Sequence, residues 1–581
     1  MNPRMILPTQ MRGRAGSALM LTMLMTGVAL VTVAGVLTYA SSTARLNYRS
    51  SQYTRAVAAA EAATEKVVAE VSHDYLSGGE ALVGSRLAAY RQTTLTASDS
   101  AYWADWEFND ASGHAGQTFV SPGTASNYVV LNSAYAGLRG YASTYTVVSN
   151  ARQTGAPQEV VGGVLQQLQL AHIPVFQFAM YSSGDMEISC GQPFVITGRV
   201  HSNGQLYVEP DNVMTFQSDV TAVGSILFQR SPLDSRSPPS GSVVYQKRKD
   251  SHVAALTLPI GASNSPPAIR EIIQPPPPLE SASSPLGRLR YYNLADMVLV
   301  VTNIGTNTGI IATSGLFNSF ASVIPTNEVN LFVSTTSSFW DAREGKTVKP
   351  IDLNIGALKA WSATNANLRP ALGSRDVSSV YVLDRRALAG TNLSAVRVVN
   401  GRQLPALGLT VASASPVYVL GHFNATTLGT NDTSATKPAS LVGDAITILS
   451  SNWSDANSAN PVSARNAAPT TVNAAFLAGA VDTAGGSYGG GMENFPRFLE
   501  TWGSANVLTY NGSMVKMFPS LYATNTWGQA NIYSPPVRNW AYDINFNDPA
   551  KLPPLTPGVL KVIRALWATT APNQTNAPAT F

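Results

Sequence analysis

Acids and a base recur in one short region: Asp185, Glu187, His201 and Asp219. Carboxylates and an imidazole gathered on one face could perform general acid-base chemistry on a polysaccharide. The surrounding pattern favours a plainer reading. Arg199 falls one step before Asp219, which reads as an outward charge ladder, and His201 sits in "HSNG", a turn that can satisfy a histidine by itself. The six histidines, His73, His114, His172, His201, His252 and His422, have no ligand spacing. With Cys190 as the single cysteine, neither an internal disulfide nor a cysteine-rich metal site is available. "GGSYGGGMEN" lacks the Lys-Ser/Thr of a phosphate loop and reads as a flexible loop, and "DTAGGS" and "TNDTSAT" lack the ligand order of a calcium loop. Trp361, Trp453, Trp502, Trp527 and Trp540 could stack on sugars, although scattered tryptophans more often fill a core. No cofactor, metal or catalytic residue is assigned, and the expectation is a protein that is not an enzyme.

The elements that would position these residues repeat. Gly184, Gly204 and Gly224 recur at intervals of 20, each ahead of an apolar alternation: Met186 and Ile188, Leu206 and Val208, Ile226 and Phe228. A second strand keeps the same step, with Ile196 and Val200 answered by Phe216 and Val220. A glycine turn and two strands per fixed period are what stacked coils of a β-solenoid require, because each coil buries its inward side chains only against the next. Farther on the step lengthens to about 29, aligning Val419, Ile448 and Leu477, as loop insertions between coils would produce. "YNGSMVKM" repeats the look once more, as another strand or as a hairpin around Asn511-Gly512. "SRSPPSGS" and "IIQPPPPLESASSPLG" are exposed loops or an excursion from the sheets. In "ENFPRFLETW", Phe495, Phe498, Leu499 and Trp502 share one helical face, suited to capping an open end of the stack.

The N-terminus differs in kind. Ser17 to Ala44 carries no charge, and its first 24 residues, "SALMLTMLMTGVALVTVAGVLTYA", exceed at about 1.5 Å per residue a hydrocarbon core of roughly 30 Å. Arg4, Arg12 and Arg14 precede it and favour a cytoplasmic N-terminus, while Arg45, Arg49 and Arg55 follow and weaken that vote. A signal peptide ending at Ala40 is the competitor, but the apolar run is too long for one, and helix formers without Pro or Gly continue through Leu76. One helix of about 60 residues is predicted from Ser17.

A short basic leader ending in Gly16, neutral Ser17, an apolar helix and "AVAAAEAATEKV" resemble the type IV pilins and pseudopilins, most closely the PilX-type minor pilins. The resemblance implies that prepilin peptidase cuts after Gly16 and methylates Ser17, and that the helix is held in the inner membrane before packing in a filament core. The fifth residue after the cut, usually Glu in that family, is Leu21 here. The lost carboxylate implies an accessory, tip or minor component rather than the bulk subunit.

Charged residues are 12% of the 581, against roughly 25% in an average soluble domain, with Ser, Thr, Asn, Gly and Ala in their place. That suits a β-rich surface protein. A net charge of +4, with no basic run, gives no nucleic-acid footprint. The expected fold class is mainly β with a long N-terminal α-helix: leader 1–16, transmembrane helix 17–44, helical extension 45–80, β-rich neck 81–175, solenoid coils 176–230, Pro/Ser-rich loop or linker 231–290, continued right-handed β-helix 291–480, and capping helix with Pro-rich arm 481–581. The expected function is assembly, tip capping or adhesion in a type IV pilus or pseudopilus. Its expected partners are prepilin peptidase, other pilins, the membrane, and a surface polysaccharide or a host or solid surface; the bulk of the chain would be periplasmic or extracellular. The alternatives are a membrane-anchored β-helix enzyme acting on polysaccharide and an anchored adhesin unrelated to pili.

Overall fold

The computed structural model describes residues 15–571 except 157–158, 262, 305–306, 315–322, 367 and 528–530. It begins with a 71-residue helix, α1 (Ala15–Ser85), interrupted only at Gly79, where φ 68° breaks the helical conformation. Up to that kink the helix is roughly 95 Å long. Its two parts live in different surroundings. Leu19, Met20, Leu24, Val31 and Leu37 are each more than half exposed, whereas Ala56, Ala60, Ala63, Val67, Val71 and Tyr75 form a buried stripe at helical spacing.

That stripe lies on an antiparallel sheet. Strand β1 (Trp106–Asn109) pairs with β4 (Arg139–Gln153), which also carries β2 (Phe119–Val120) and β3 (Asn127–Val130) and pairs in turn with β5 (Val161–Pro174). The alanines of the helix have a physical reason. A Cβ built on Gly162 of β5 would stand 2.5 Å from the Val57 nitrogen and 2.7 Å from the Ala56 carbonyl carbon, so helix and strand backbones meet with nothing between them. The outer neighbour of β5 arrives from the far end of the chain: strand Gly558–Thr570 pairs antiparallel with it, placing Gly558 opposite Pro174 and Thr570 opposite Gly163. Arg564 of that strand holds Glu65 of α1 through both carboxylate oxygens, at 2.5 and 2.6 Å. Residues 175–557 are thus an insertion between two adjacent strands of the helix-on-sheet unit.

The insertion is built mostly of parallel strands. The 20-residue step appears directly in the registers: Leu206 pairs with Met186 and Ile226, Phe216 with Ile196, and Val220 with Val200. Phe228 departs from the expectation; the third strand of that row ends at Leu227 and Phe228 is 55% exposed. Among the described residues, two three-stranded parallel sheets and one end of a 13-stranded sheet carry this step. These pairings establish stacked parallel sheets; the closed solenoid expected from the period goes beyond them. Strand Phe178–Ser182 pairs with Arg199–Ser202 on one side and with Val507–Pro519 on the other. The chain therefore enters mid-sheet, winds out to Lys249–Ser251, crosses to Met297–Ile304 and winds back to the strand beside its entry.

The crossing explains the proline-rich stretch. Expected as an exposed loop or linker, it instead buries Leu256, Leu258, Ile269, Ile272 and Ile273 in the main core. It is pinned by Arg290, 1% exposed, which pairs with Glu271 and Glu280 and donates to the Glu271 and Gln274 carbonyls.

Three further expectations are corrected. Val419 does pair with Ile448, but Leu477 pairs with Val442 in the opposite sheet, and the strand next to Ile446–Leu449 is Pro496–Arg497. The capping helix over Phe495–Trp502 is absent: a short 3-10 turn, Met492–Asn494, leads into that strand. Its four apolar side chains are buried as expected, but so are Arg497 and Glu500, so no polar face remains for an amphipathic helix. Asn511-Gly512 lies inside strand Val507–Pro519, not at a hairpin; the Asn511 amide donates to Asn473 Oδ1 at 2.8 Å, and a Cβ on Gly512 would stand 1.9 Å from the Ala474 oxygen.

Candidate functional site

Gly16 and Ser17 fall in the first turn of α1, while residues 1–14 of the expected leader 1–16 lie outside the described residues. By length and composition the helix can cross a membrane, and its apolar part makes no contact that buries it in the rest of the chain. Leu21 is 60% exposed.

Asp185, Glu187, His201 and Asp219 do not converge on one reaction centre. Asp185 Oδ1 accepts the Gln205 N–H at 2.7 Å, and Glu187 accepts the Thr483 hydroxyl. His201 belongs to strand Arg199–Ser202, not to a turn; its ring meets Thr221 Oγ1 at 2.9 Å and Asn203 Oδ1 at 3.0 Å. Burial pushes its pKa down to about 4, so the ring is neutral and satisfied. Arg199 donates to the Gly137 carbonyl at 2.8 Å, and among the described residues it forms no ion pair with Asp219, so the charge ladder is not made. Cys190 is buried with its thiol pushed up to about 12, which keeps it protonated and unreactive. Trp361, Trp502 and Trp540 are buried in the core and Trp453 packs against it. Among the described residues no three His, Cys, Asp or Glu side chains are grouped to hold a metal ion.

The structure assembles a different site. A cleft of about 240 Å³ opens where the turn after Met186–Ile188 meets the glycine-rich run and the C-terminal arm. Glu493, at its base, is buried: Oε2 accepts the Ser189 N–H at 2.9 Å and Oε1 accepts the Tyr488 hydroxyl at 2.5 Å. The Tyr488 ring is clamped between the Arg236 guanidinium, 3.6 Å from its centroid, and Trp527, edge-on at 5.4 Å. The glycine-rich run is therefore a packed wall from Tyr488 to Asn494, while Gly485, Gly486 and Ser487 before it are exposed. Gly491, at φ 59°, passes so close that a Cβ would stand 2.2 Å from the Tyr488 hydroxyl and 2.6 Å from Glu493 Oε2. Behind the wall, Glu209 accepts the Ser231 N–H at 2.9 Å and an Arg236 N–H at 3.1 Å. Of these residues the sequence had drawn attention only to Trp527 and to the glycines.

Burial pushes the Glu209 carboxyl up to about 8 and that of Glu493 up to about 7, from 4.5. The folded chain then keeps protons that the unfolded chain has released, so stability falls as pH rises from 4.5 through these values. His201, with its pKa lowered, is neutral in both states above pH 6.5 and leaves that end of the window clear. Between pH 6.5 and 8.5, Glu209→Gln is expected to lose about 2 kcal/mol less than the wild type in urea melts. Parallel pH profiles for the two proteins would contradict the assignment.

No protein family and no curated protein matches the sequence. Among solved structures the chain is similar to the competence-associated pilin ComZ from Thermus thermophilus, at 10% identity over 89% of this chain and 97% of that one, with a TM-score of 0.29. A likeness at that level establishes neither a shared fold nor a shared role.

Proposed function

We propose that this chain is an accessory, pilin-like protein of a bacterial envelope, of the PilX-type minor class, and not an enzyme. Prepilin peptidase cuts after Gly16 and methylates Ser17. The apolar part of α1 holds the subunit in the inner membrane with a cytoplasmic N-terminus, then packs against other pilins when the subunit is drawn into a type IV pilus or pseudopilus. The parallel sheets, read as a β-solenoid, stand outside the membrane and serve adhesion, tip capping or assembly priming.

The observation that carries this reading is the division of α1. Its C-terminal part is fixed to an antiparallel sheet closed by both ends of the chain, while residues 17–42 remain exposed. An exposed apolar helix of that length has no stable place in water and requires lipid or neighbouring helices. Leu21 supports the accessory role, since it offers no charge to a neighbour's amine.

N-terminal mass spectrometry of the mature protein tests the reading. N-methylated Ser17 is the expected result. Cleavage after Ala40 would establish ordinary secretion, and an intact Met1 a plain anchor; either would overturn the pilin assignment.

A further inference from the structure

Among the described residues the cleft's Arg236 and Asp211 are held in ion pairs, while Glu493 and Arg538 are in none. Arg236 is engaged by Asp234 at 2.7 Å, by Glu209 at 3.1 Å and by Ser189, and Asp211 is paired with Arg230 at 2.7 Å. Arg538 stands apart. Its Nη2 donates to Asn494 Oδ1 at 3.2 Å, its Nε is buried without a partner, and among the described residues no carboxylate forms an ion pair with it. A half-buried guanidinium left with open donors is an anion site in waiting, because its fork matches the two oxygens of a carboxylate. Beside it Trp527 is fixed by an indole N–H donated to the Tyr533 hydroxyl, which in turn donates to Asn494 at 2.8 Å. At the rim the Gln192 amide is exposed and has no partner among the described residues, leaving both a donor and an acceptor for hydroxyl groups.

We infer that this cleft binds an acidic saccharide, with a uronate carboxylate on Arg538, the sugar ring against Trp527, and ring hydroxyls on Gln192. The three groups match three different features of one such residue. A simple phosphate or acetate uses the guanidinium and leaves the aromatic wall without a partner. The size agrees: about 240 Å³ is just below the roughly 300 Å³ at which pockets for drug-sized ligands begin, so one sugar residue fits and its chain neighbours extend outside. Glu493 offsets the guanidinium only in part, because burial holds its carboxyl up to about 7 and keeps it partly protonated near neutrality. The inference concerns the inserted body and is independent of whether the stem enters a filament.

The test is calorimetric titration of the full chain in detergent micelles with trimers of galacturonate, glucuronate and mannuronate, and with a neutral galactose trimer and acetate as comparisons. At least one acidic trimer is expected to bind, with the neutral trimer and acetate at least tenfold weaker. Arg538→Gln, without lowering the melting temperature, and Trp527→Ala, with some loss of stability because Trp527 packs on Tyr488, are each expected to weaken that binding tenfold or more, and Arg538→Lys to weaken it less than Arg538→Gln. Lys359→Gln, in helix Ile355–Thr364 and remote in sequence from every cleft residue, is expected to bind as the wild type does. Failure of all three acidic trimers, equal affinity for the neutral trimer or acetate, or unchanged affinity in a folded Arg538→Gln would each overturn the assignment.

Discussion

Gly162→Val is expected to separate α1 from its sheet and to cost the helix-on-sheet unit about 3 kcal/mol, the upper end of what an overpacked contact costs. The two nearest atoms are the backbone nitrogen of Val57 and the backbone carbonyl carbon of Ala56, neither of which can swing aside as a side-chain end can, with the Ala56 Cβ at 3.0 Å. A helix cannot yield at one residue, so relief requires the whole stripe from Ala56 to Tyr75 to move away from β5. That stripe packs in clusters separate from the main core of the insertion. Limited proteolysis is therefore expected to cut the variant within α1 or the neck while residues 178–546 stay protected, and Gly162→Ala should fall between wild type and Val. A variant that melts and digests like the wild type would mean that helix and sheet do not depend on this contact.

What could be read from the sequence depended on how local the pairing was. The long helix was legible because residues 17–76 contain no proline and their two glycines, Gly27 and Gly35, interrupt the pattern without ending it. The 20-residue step was legible because successive coils there carry no insertion, so Gly184, Gly204 and Gly224 mark successive turns at a constant interval. Once loops of unequal length intervene, a constant step no longer tracks one sheet, which is how Leu477 came to be aligned with the wrong row. The closing strand Gly558–Thr570 is partnered almost 400 residues upstream, and nothing local in its sequence names β5 as its neighbour. The cleft was hidden for the same reason: Ser189, Arg236, Glu493 and Arg538 come from four separate parts of the chain. The helical spacing of Phe495 and Trp502 misled because burial on every side, with Arg497 donating to Glu344 at 2.8 Å, imitates one face of a helix when only the apolar positions are counted.

The second large effect concerns the stem. Val28 and Val31 sit near the middle of the apolar run, one helical turn apart, 56% and 74% exposed. Replacing both with Arg adds, on insertion scales, about 3 kcal/mol per charge at the helix centre, or roughly 6 kcal/mol against a spanning state. Neither side chain is buried against the body, so the same change leaves the folding of residues 56–571 untouched. On the proposed reading this helix segment, and not the body, carries the protein into membrane and filament. The most direct test of that reading is to express the Val28→Arg, Val31→Arg chain and measure its distribution between membrane, sheared-filament and soluble fractions. Loss from the first two fractions is expected, with a body that melts as in the wild type. A doubly charged stem that still floats with membranes and sediments with filaments would contradict it.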